Sequence, residues 1–350
     1  MELILLRVKF LGVLFASLSI LLHLEFGESF RSQLLMKTSQ SKTFSNKGLK
    51  ISKGAGFSAK SQSSSLKAKQ EIKDLLTQYG GDMNSMTNFL FKRKLLDLGK
   101  KDPSLYKEIV ETLGTKEIDG TQQSPDRTKA HNKLIELTWD VVALTIPFTE
   151  RQSVPKSVSN RLTSIAKSCV SGGNVLDVGC GHGVLIPYLT PKKPKGPGIK
   201  ENQIYGVDVS SEMISCAQTL YPRCNFYHLD YFSVDKKLRR SEEQKIGFDS
   251  IIFNGSLQFF SDIPETIFYA ARLLRKDENE NIANGSRIII AHANGSKFVQ
   301  EERQKNPHTV KNDMPSFDKI QEICDGVDMK VVGGNIENLE DFYLLVLERK

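Results

Sequence analysis

Apolar residues between 71 and 146 recur at the three- and four-residue intervals of amphipathic helices. Asp102-Pro103 interrupts this pattern, because proline is tolerated in the first turn of a helix but not in its interior. A stronger helix is predicted over about 129–146, and its apolar stripe is typical of core packing rather than of a cofactor-binding face. We therefore predict a helical extension over residues 71–150, which either caps a substrate site or simply docks on the rest of the chain.

From residue 174 onward, short apolar stretches alternate with helical patterns. Strands are predicted at 175–178, 204–209, 225–230, 249–254, 287–291, 329–332 and 342–348. Helices are predicted at 157–169, 184–190, 263–274 and 316–324, and a further one begins near residue 210. This alternation implies right-handed crossovers and a largely parallel sheet covered on both faces. The predicted fold class is α/β, a doubly wound, mostly parallel seven-stranded sheet with an N-terminal helical extension.

Three glycines follow the first predicted strand. Gly179, Gly181 and Gly183 form a turn into the next helix, and Asp177 stands two residues before the first of them. Such a turn presents backbone N–H groups and the positive end of a helix dipole, and glycine lets a ligand approach closely. The spacing is not the Gly-x-Gly-x-x-Gly of dinucleotide-binding enzymes, which argues against a nicotinamide-dependent oxidoreductase.

Three later predicted strands end in an acidic or amide residue. These residues are Asp208, Asp230 and Asn254. In a doubly wound sheet, ligands bind outside the carboxyl ends of the strands. Each residue taken singly is an ordinary turn residue. Together with the glycine turn, however, they predict a ligand site at this edge of the sheet.

These motifs resemble those of class I S-adenosylmethionine-dependent methyltransferases (type 11/25-like), over about residues 160–350. The resemblance rests on Asp177 with the glycine turn, on Gly206-Val-Asp-Val-Ser-Ser-Glu-Met213, and on Phe248-Asp-Ser-Ile-Ile-Phe-Asn254. It implies a Rossmann-like fold with an antiparallel seventh strand. It also implies S-adenosyl-L-methionine as the cofactor and transfer of its methyl group to an acceptor.

The same resemblance implies roles for individual residues. Asp208 is expected to accept hydrogen bonds from both ribose hydroxyls, since a carboxylate can accept two donors. Asp230 is expected to take the adenine amino group, with Met213 packing near the adenine. The other cofactor-binding residues implied are Asp177, Gly179, Cys180, Gly181, Gly183, Val209, Tyr231 and Asn254.

Methyl transfer from a sulfonium is an in-line displacement, so the protein mainly aligns the reactants and excludes water. A general base is needed only if the acceptor must lose a proton. His292, after the fifth predicted strand, is the catalytic candidate, although a histidine that merely ends a strand is the commoner case. Tyr231 is the second candidate, and lining the pocket is its alternative role.

The segment 294–312 includes Lys297, Arg303, Lys305 and His308. Such a group would suit an acidic acceptor. A solvated helix is the simpler interpretation and the one that the sequence favours.

The net charge of +7 is concentrated near the N-terminus. Residues 1–28 carry a net charge of −1, residues 29–70 carry +9, and residues 71–350 carry −1. The part expected to fold is therefore nearly neutral and lacks the basic footprint of a nucleic-acid-binding protein. The five cysteines include no Cys-x-x-Cys pair, so we predict neither a disulfide framework nor a metal site.

Residues 1–29 have the features of a signal peptide, because Arg7 and Lys9 precede an apolar run (10–24) that is too short to span a membrane. Residues 30–70 are basic, rich in serine and free of acidic residues, as in a transit peptide that stays disordered until processed. This leader resembles the bipartite leaders of algae with complex plastids. We therefore expect a plastid protein delivered by the secretory route, without a membrane span after processing. A membrane anchor and a secreted protein with a basic linker are the alternatives.

The predicted organisation is a leader (1–29 and 30–70), a helical extension or cap (71–150) and a methyltransferase domain (151–350). The predicted function is methyl transfer to a small-molecule acceptor, with no nucleic-acid partner. The alternative is a catalytically inactive protein of the same fold that acts in binding or assembly, because a fold does not fix a function. No sequence feature indicates an oligomeric state.

Overall fold

A computed structural model describes residues 82–114, 125–145, 156–191, 196–238, 247–276 and 285–350, together with parts of 71–79. The predicted signal peptide and transit peptide lie outside these described residues. Among the described helices, none combines the length and the apolar character needed to cross a bilayer.

Within the described chain, seven strands form one mixed sheet in the order β3-β2-β1-β4-β5-β7-β6. The strands from β1 to β5 pair in parallel, whereas β7 is antiparallel to both β5 and β6. This topology confirms the predicted fold class and the antiparallel seventh strand. The strands are β1 Val175–Val178, β2 Ile204–Asp208, β3 Asn225–His228, β4 Ser250–Asn254, β5 Arg287–His292, β6 Met329–Gly334 and β7 Tyr343–Arg349.

Helices precede the sheet and connect its strands. Three lie ahead of it: α1 Met83–Lys101, α2 Pro103–Gly114 and α3 Pro125–Thr145. The others are α4 Lys156–Lys167, α5 Ile186–Leu189, α6 Ser211–Leu220, α7 Val234–Leu238, α8 Ile263–Leu273, α9 Gly295–Lys305 and α10 Phe317–Asp325. The predicted helix at 184–190 is thus shorter than expected, because its first residues belong to the glycine turn.

Alternating side chains of the strands fill both faces of the sheet. In β5, Ile288 and Ile290 join one apolar cluster, whereas Ile289 and Ala291 join the other, because successive strand residues point to opposite faces. Helices α8 and α10 contribute to the first cluster, and α4, α5 and α6 contribute to the second. The sheet is therefore covered on both faces, and its carboxyl edge is left for a ligand.

A separate apolar cluster holds α1, α2 and α3 together. Met86, Phe91, Ile109 and Leu134 are fully buried in it. One side of α3 is used in this cluster, and its other side faces α6 and the carboxyl edge of the sheet. The three helices therefore form a small bundle that packs over one end of the sheet.

Candidate active site

Backbone hydrogen bonds hold the glycine turn against β2. The N–H groups of Gly179 and Cys180 both donate to the carbonyl of Val207, at 2.9 and 3.1 Å. All three glycines have positive φ (70°, 52° and 85° in chain order), a conformation that side chains with a Cβ rarely adopt. At Gly181 an added Cβ would meet only the Met213 Sδ, 4.0 Å away. The turn is therefore rigid and open at Gly181, as the approach of a ligand requires.

The carboxylate of Asp208, at the end of β2, is held by two backbone donors. Its Oδ2 accepts from the N–H of Gly181 at 2.9 Å, and its Oδ1 accepts from the N–H of Ser210 at 2.8 Å. Burial raises its pKa to about 6, against the lowering effect of these two hydrogen bonds. Each oxygen keeps a second lone pair, so the carboxylate is oriented to accept further donors from a ribose.

Asp177 is buried at 3% exposure in the middle of the sheet, directly before the turn. Burial and the nearby charge of Asp208 raise its pKa to about 7. A buried carboxyl group whose ionisation is also disfavoured by a neighbouring carboxylate is a site where a cation is stabilising. A sulfonium and an ammonium group, as in S-adenosyl-L-methionine, have the required charge, and the open turn at Gly181 leaves room for them. The residues present thus fit this cofactor.

Asp230 follows β3, which ends at His228 and not at residue 230 as the sequence suggested. Its Oδ1 accepts from the N–H of Phe232, and its Oδ2 accepts from the side-chain amide of Asn132 on α3, at 3.2 Å. Burial raises the pKa of Asp230. The carboxylate that the motif assigns to adenine therefore also contacts the helical extension.

Met213 lies on the first turns of α6 and is buried against Val142, Ala143 and Trp139 of α3. It lines the same cleft as Asp208, and Val209 and Cys180 line it as well. The structure thus brings the predicted adenine-side residues together, and it adds α3 to them.

His292 ends β5 and faces the cleft from the side opposite β2. Its Nδ1 accepts from the N–H of Asn294 at 3.3 Å, and its ring stacks on Phe298 at 5.4 Å between centroids. Burial lowers its pKa to about 4. The imidazole is therefore neutral near pH 7, with its proton on Nε2 because Nδ1 accepts from Asn294. Nδ1 is the atom that can accept a proton, once the hydrogen bond from Asn294 is given up.

Tyr231 has a different environment. Its hydroxyl donates to the carbonyl of Thr266 on α8 at 3.3 Å, and its ring packs edge to face on Phe253, Phe260 and Tyr269. Burial raises its pKa well above the usual value. Because its hydroxyl is used in the core, Tyr231 is better suited to shaping the cleft than to accepting a proton, and His292 is the stronger candidate base.

A single cleft of about 1020 Å³ joins these residues. Its floor is the carboxyl edge of the sheet, with Asp177, the glycine turn and Asn254, and its roof is formed largely by α3. The walls between them are mostly apolar, with Leu98, Leu105, Ile135, Val158, Leu162, Phe259, Phe260 and Val310. The cofactor candidates therefore occupy one part of a larger, mostly apolar space.

The candidate residues named in 294–312 do not form the clamp that an acidic acceptor would need. None of Lys297, Arg303, Lys305 and His308 lines the cleft, and Arg303 instead pairs with Asp313 at 2.8 Å. The preferred interpretation of a solvated helix is also incomplete. One face of α9 lines the cleft through Phe298, Val299 and Glu302. The polar side chains that this segment presents to the cleft are those of Asn294 and Glu302, so its one ionisable group there, among the described residues, is a carboxyl.

Sequence reasoning missed the part of the site that α3 supplies. Asn132, Ile135, Trp139 and Val142 line the cleft, at intervals of three and four residues that place them on one helix face. The apolar stripe that was recognised belongs to the other face. The sole tryptophan of the chain, on this second face, was the available signal.

Comparison with known proteins supports the motifs. Residues 176–277 match the family model of a methyltransferase domain. No curated protein matches the sequence. Across the described residues, no group of three or more His, Cys, Asp or Glu side chains is arranged to hold a metal ion.

Several solved methyltransferases resemble the chain in structure. Magnesium protoporphyrin IX methyltransferase from Synechocystis PCC 6803, with bound S-adenosylmethionine, is 16% identical, with 74% of this chain and 97% of that chain covered and a TM-score of 0.34. A putative methyltransferase from Haloferax volcanii, solved with its activator, is 16% identical, with 60% and 96% covered and a TM-score of 0.43. Similarity at this level carries no argument about the acceptor.

The strand order, the glycine turn and the family match over 176–277 agree with the methyltransferase resemblance that the sequence motifs indicated. They also agree with S-adenosyl-L-methionine as the cofactor. Residues 176–277 therefore carry a methyltransferase domain, in agreement with the resemblance of the motifs to class I S-adenosyl-L-methionine-dependent methyltransferases.

Proposed function

We propose that this protein transfers the methyl group of S-adenosyl-L-methionine to a small-molecule acceptor that binds beneath α3. The observation that carries the proposal is the size of the cleft. Small-molecule pockets are typically about 300–1,000 Å³, and this cleft of about 1020 Å³ is large enough for a cofactor and an acceptor together. Its mostly apolar walls favour an acceptor with a substantial apolar part.

The positions of the residues in the site suggest a role for each of them. Bound S-adenosyl-L-methionine supplies an electrophilic methyl group. Asp208, Asp230 and the glycine turn hold the ribose, the adenine amino group and the methionine part, and His292 accepts a proton from acceptors that must lose one. Helix α3 closes the cleft and excludes water, which is the role of a cap.

The test is equilibrium binding followed by methyl transfer. S-adenosyl-L-methionine is expected to bind and NADH is not. With methyl-labelled cofactor, label is expected to enter the low-molecular-mass fraction of a plastid metabolite extract. Cofactor binding without transfer to any fraction would favour the alternative of an inactive binding or assembly protein.

We also propose that the protein acts in a plastid that it reaches through the secretory route. The support is the composition of residues 1–70, an apolar run followed by a basic, serine-rich stretch without acidic residues. A fluorescent reporter fused to residues 1–70 is expected to enter the plastid of an alga with secondary plastids. Removal of 30–70 is expected to leave it in the secretory pathway, and secretion of the full-leader fusion would refute the proposal.

A further inference from the structure

Two side chains in the cleft have a buried oxygen without a hydrogen-bond partner. They are Gln258 and Glu302, whose side-chain Oε1 atoms are both buried and unpaired. Both residues line the cleft and are only 5% and 7% exposed. A buried polar atom without a partner costs free energy, so two of them in one ligand cleft point to donors supplied by a ligand.

The orientation of the Gln258 amide is fixed by its neighbours. Its Nε2 donates to the carbonyl of Gly255 at 3.1 Å, and its own backbone carbonyl accepts from the N–H groups of Lys311 and Asn312. A flipped amide would set its oxygen against the Gly255 carbonyl, which is unfavourable. The unpaired atom is therefore the amide oxygen, and it accepts hydrogen bonds only.

Glu302 lies one helical turn beyond Phe298 on α9, and Phe298 stacks on His292. Side chains four residues apart on a helix are neighbours, about 5–6 Å apart at Cβ. Burial raises the pKa of Glu302 to about 7, although Lys305 and Asn306 lower it. A carboxyl group thus stands in the apolar wall, within the span of a small molecule from the candidate base.

The other charges of the cleft do not explain this carboxyl. Among the described residues, the two lysines that line the cleft are both paired, Lys129 with Asp102 at 3.6 Å and Lys133 with Glu136 at 2.6 Å. The remaining acidic residues of the lining are Asp177, Asp208, Asp230 and Glu302, and within the described chain none of them has an ion-pair partner. The cofactor accounts for the first three. Glu302 has a side-chain hydrogen bond with Asn306, but its Oε1 remains unpaired.

We infer that Glu302 and Gln258 form a subsite for a protonated amine carried by the methyl acceptor. An ammonium group supplies several N–H donors and a positive charge, which match two acceptor oxygens and one carboxylate. A neutral hydroxyl supplies only one donor and leaves one oxygen unpaired. The inference rests on the proposed function, and it identifies the acceptor as a largely apolar molecule with a basic nitrogen.

Three matched probes test the subsite by calorimetric titration into the full chain saturated with S-adenosylhomocysteine. Tryptamine carries an ammonium group, 3-propylindole replaces it with a methyl group, and indole-3-propionate replaces it with a carboxylate. Because charge-assisted hydrogen bonds are strong, tryptamine is expected to bind at least about tenfold more tightly than 3-propylindole. Indole-3-propionate is expected to bind most weakly.

The variant Glu302→Gln keeps the shape of the side chain and removes the charge. It is expected to reduce the preference for tryptamine over 3-propylindole to less than about threefold, with unchanged affinity for S-adenosylhomocysteine. The matched control is Glu301→Gln, which alters the exposed neighbour that pairs with Lys305 and is expected to keep the preference. Tryptamine binding at pH 6 is also expected to release a proton in the wild type but not in Glu302→Gln.

Equal binding of tryptamine and 3-propylindole, or an unchanged preference in Glu302→Gln, would overturn the inference. So would failure of all three probes to bind a protein that still binds S-adenosylhomocysteine. Failure of the wild-type protein to bind S-adenosylhomocysteine would instead count against the proposed function, so the two failures are distinguishable.

Discussion

The carboxylate of Asp140, on α3, accepts a 2.7 Å hydrogen bond from the hydroxyl of Ser210, on the loop between β2 and α6. The same hydroxyl accepts from the N–H of Met213 and so caps α6, while the N–H of Ser210 donates to Asp208. The second oxygen of Asp140 pairs with Lys94 of α1 at 2.9 Å. A short chain of hydrogen bonds therefore links the helical extension to the carboxylate assigned to the ribose.

The first prediction concerns this link. Asp140→Asn replaces the buried carboxylate that pairs with Lys94 and accepts a hydrogen bond from Ser210. The substitution is expected to lower the free energy of unfolding by about 1–3 kcal/mol. Affinity for S-adenosyl-L-methionine is expected to fall severalfold, because the Ser210 loop is held less firmly. Thermal unfolding and calorimetry measure both effects. Asp97→Asn, which removes an exposed ion pair with Lys100 on α1, is the control and is expected to leave cofactor affinity unchanged.

The second prediction concerns Asp208 itself. Asp208→Ala removes the acceptor for the ribose hydroxyls together with the partner of the Gly181 N–H. Hydrogen bonds to charged groups contribute about 1.5–3 kcal/mol each, so cofactor affinity is expected to fall roughly tenfold to several hundredfold. The measurement is cofactor titration of a variant whose circular dichroism matches the wild type. Unchanged affinity would refute the assignment of Asp208.

The strands and the cofactor residues were predictable because they are local in sequence. The continuous apolar run of β5 and the sequence from Asp177 to Gly183 indicate a buried strand and a glycine turn without reference to the rest of the chain. Strand ends are less well determined, since the change from β3 to the turn at Asp230 depends on a side-chain cap and not on hydrophobicity.

The part of the cleft proposed for the methyl acceptor was not predictable from the sequence, because it depends on which faces of the helices pack toward the cleft. Helix α9 is polar overall, and only Phe298 and Val299 indicated an inward face. The burial of Glu302 follows from how α9 packs beside β5, which no local pattern specifies. The basic residues of the same helix suggested an acidic acceptor, but the structure turns a carboxyl toward the cleft.

The third prediction concerns the pH dependence of stability in the protein without cofactor. The pKa of Asp177 is raised from 3.8 to about 7 by burial, so between these values the folded state binds more protons than the unfolded state. Its contribution to stability therefore declines as the pH rises from about 4 to about 7 and is constant above. Asp177→Asn is expected to remove this decline and to be more stable than the wild type at pH 8, by at most about 4 kcal/mol.

Denaturant unfolding of both proteins at pH 4.5 and pH 8 measures this difference. Asp313→Asn, at an exposed ion pair with Arg303, is the control and is expected to keep the wild-type pH dependence. An equal effect of Asp177→Asn at both pH values would contradict the prediction.

The fourth prediction separates the two catalytic candidates. For an acceptor that must lose a proton, His292→Gln is expected to lower kcat by about 10²–10⁴-fold, as for loss of a general base, with little change in cofactor affinity. Tyr231→Phe removes a hydroxyl that donates to the Thr266 carbonyl in the core. Because this hydroxyl is not expected to accept a proton from the acceptor, kcat is expected to stay within about twofold of the wild type. Because burial lowers the pKa of His292 to about 4, protonation of this group is not expected to reduce the rate between pH 8 and pH 5.5.

The last prediction concerns the role of α1, α2 and α3. Deleting α1 and α2 would expose Leu134 and Val141 of α3, which are fully buried in the cluster that the three helices share. A loss of activity in the truncated protein would therefore not distinguish unfolding from loss of a cap. A substitution on the cleft face of α3 avoids this difficulty. Trp139 lines the cleft, packs edge to face on Phe259 at 5.7 Å and touches the α6 side at Met213.

Trp139→Ala opens the roof while leaving the sheet and its carboxylates in place. If the helices are a cap, kcat/KM for the acceptor is expected to fall at least about tenfold, because alignment and water exclusion are lost in the chemical step. Cofactor affinity is expected to change much less, since Asp208 and the glycine turn do not depend on the indole. The control is Phe89→Ala, which truncates a partly exposed aromatic residue on α1 away from the cleft. Wild-type turnover by Trp139→Ala would mean that the helices are a docking extension, because a cap that contributes to catalysis cannot lose its largest cleft-lining side chain without effect.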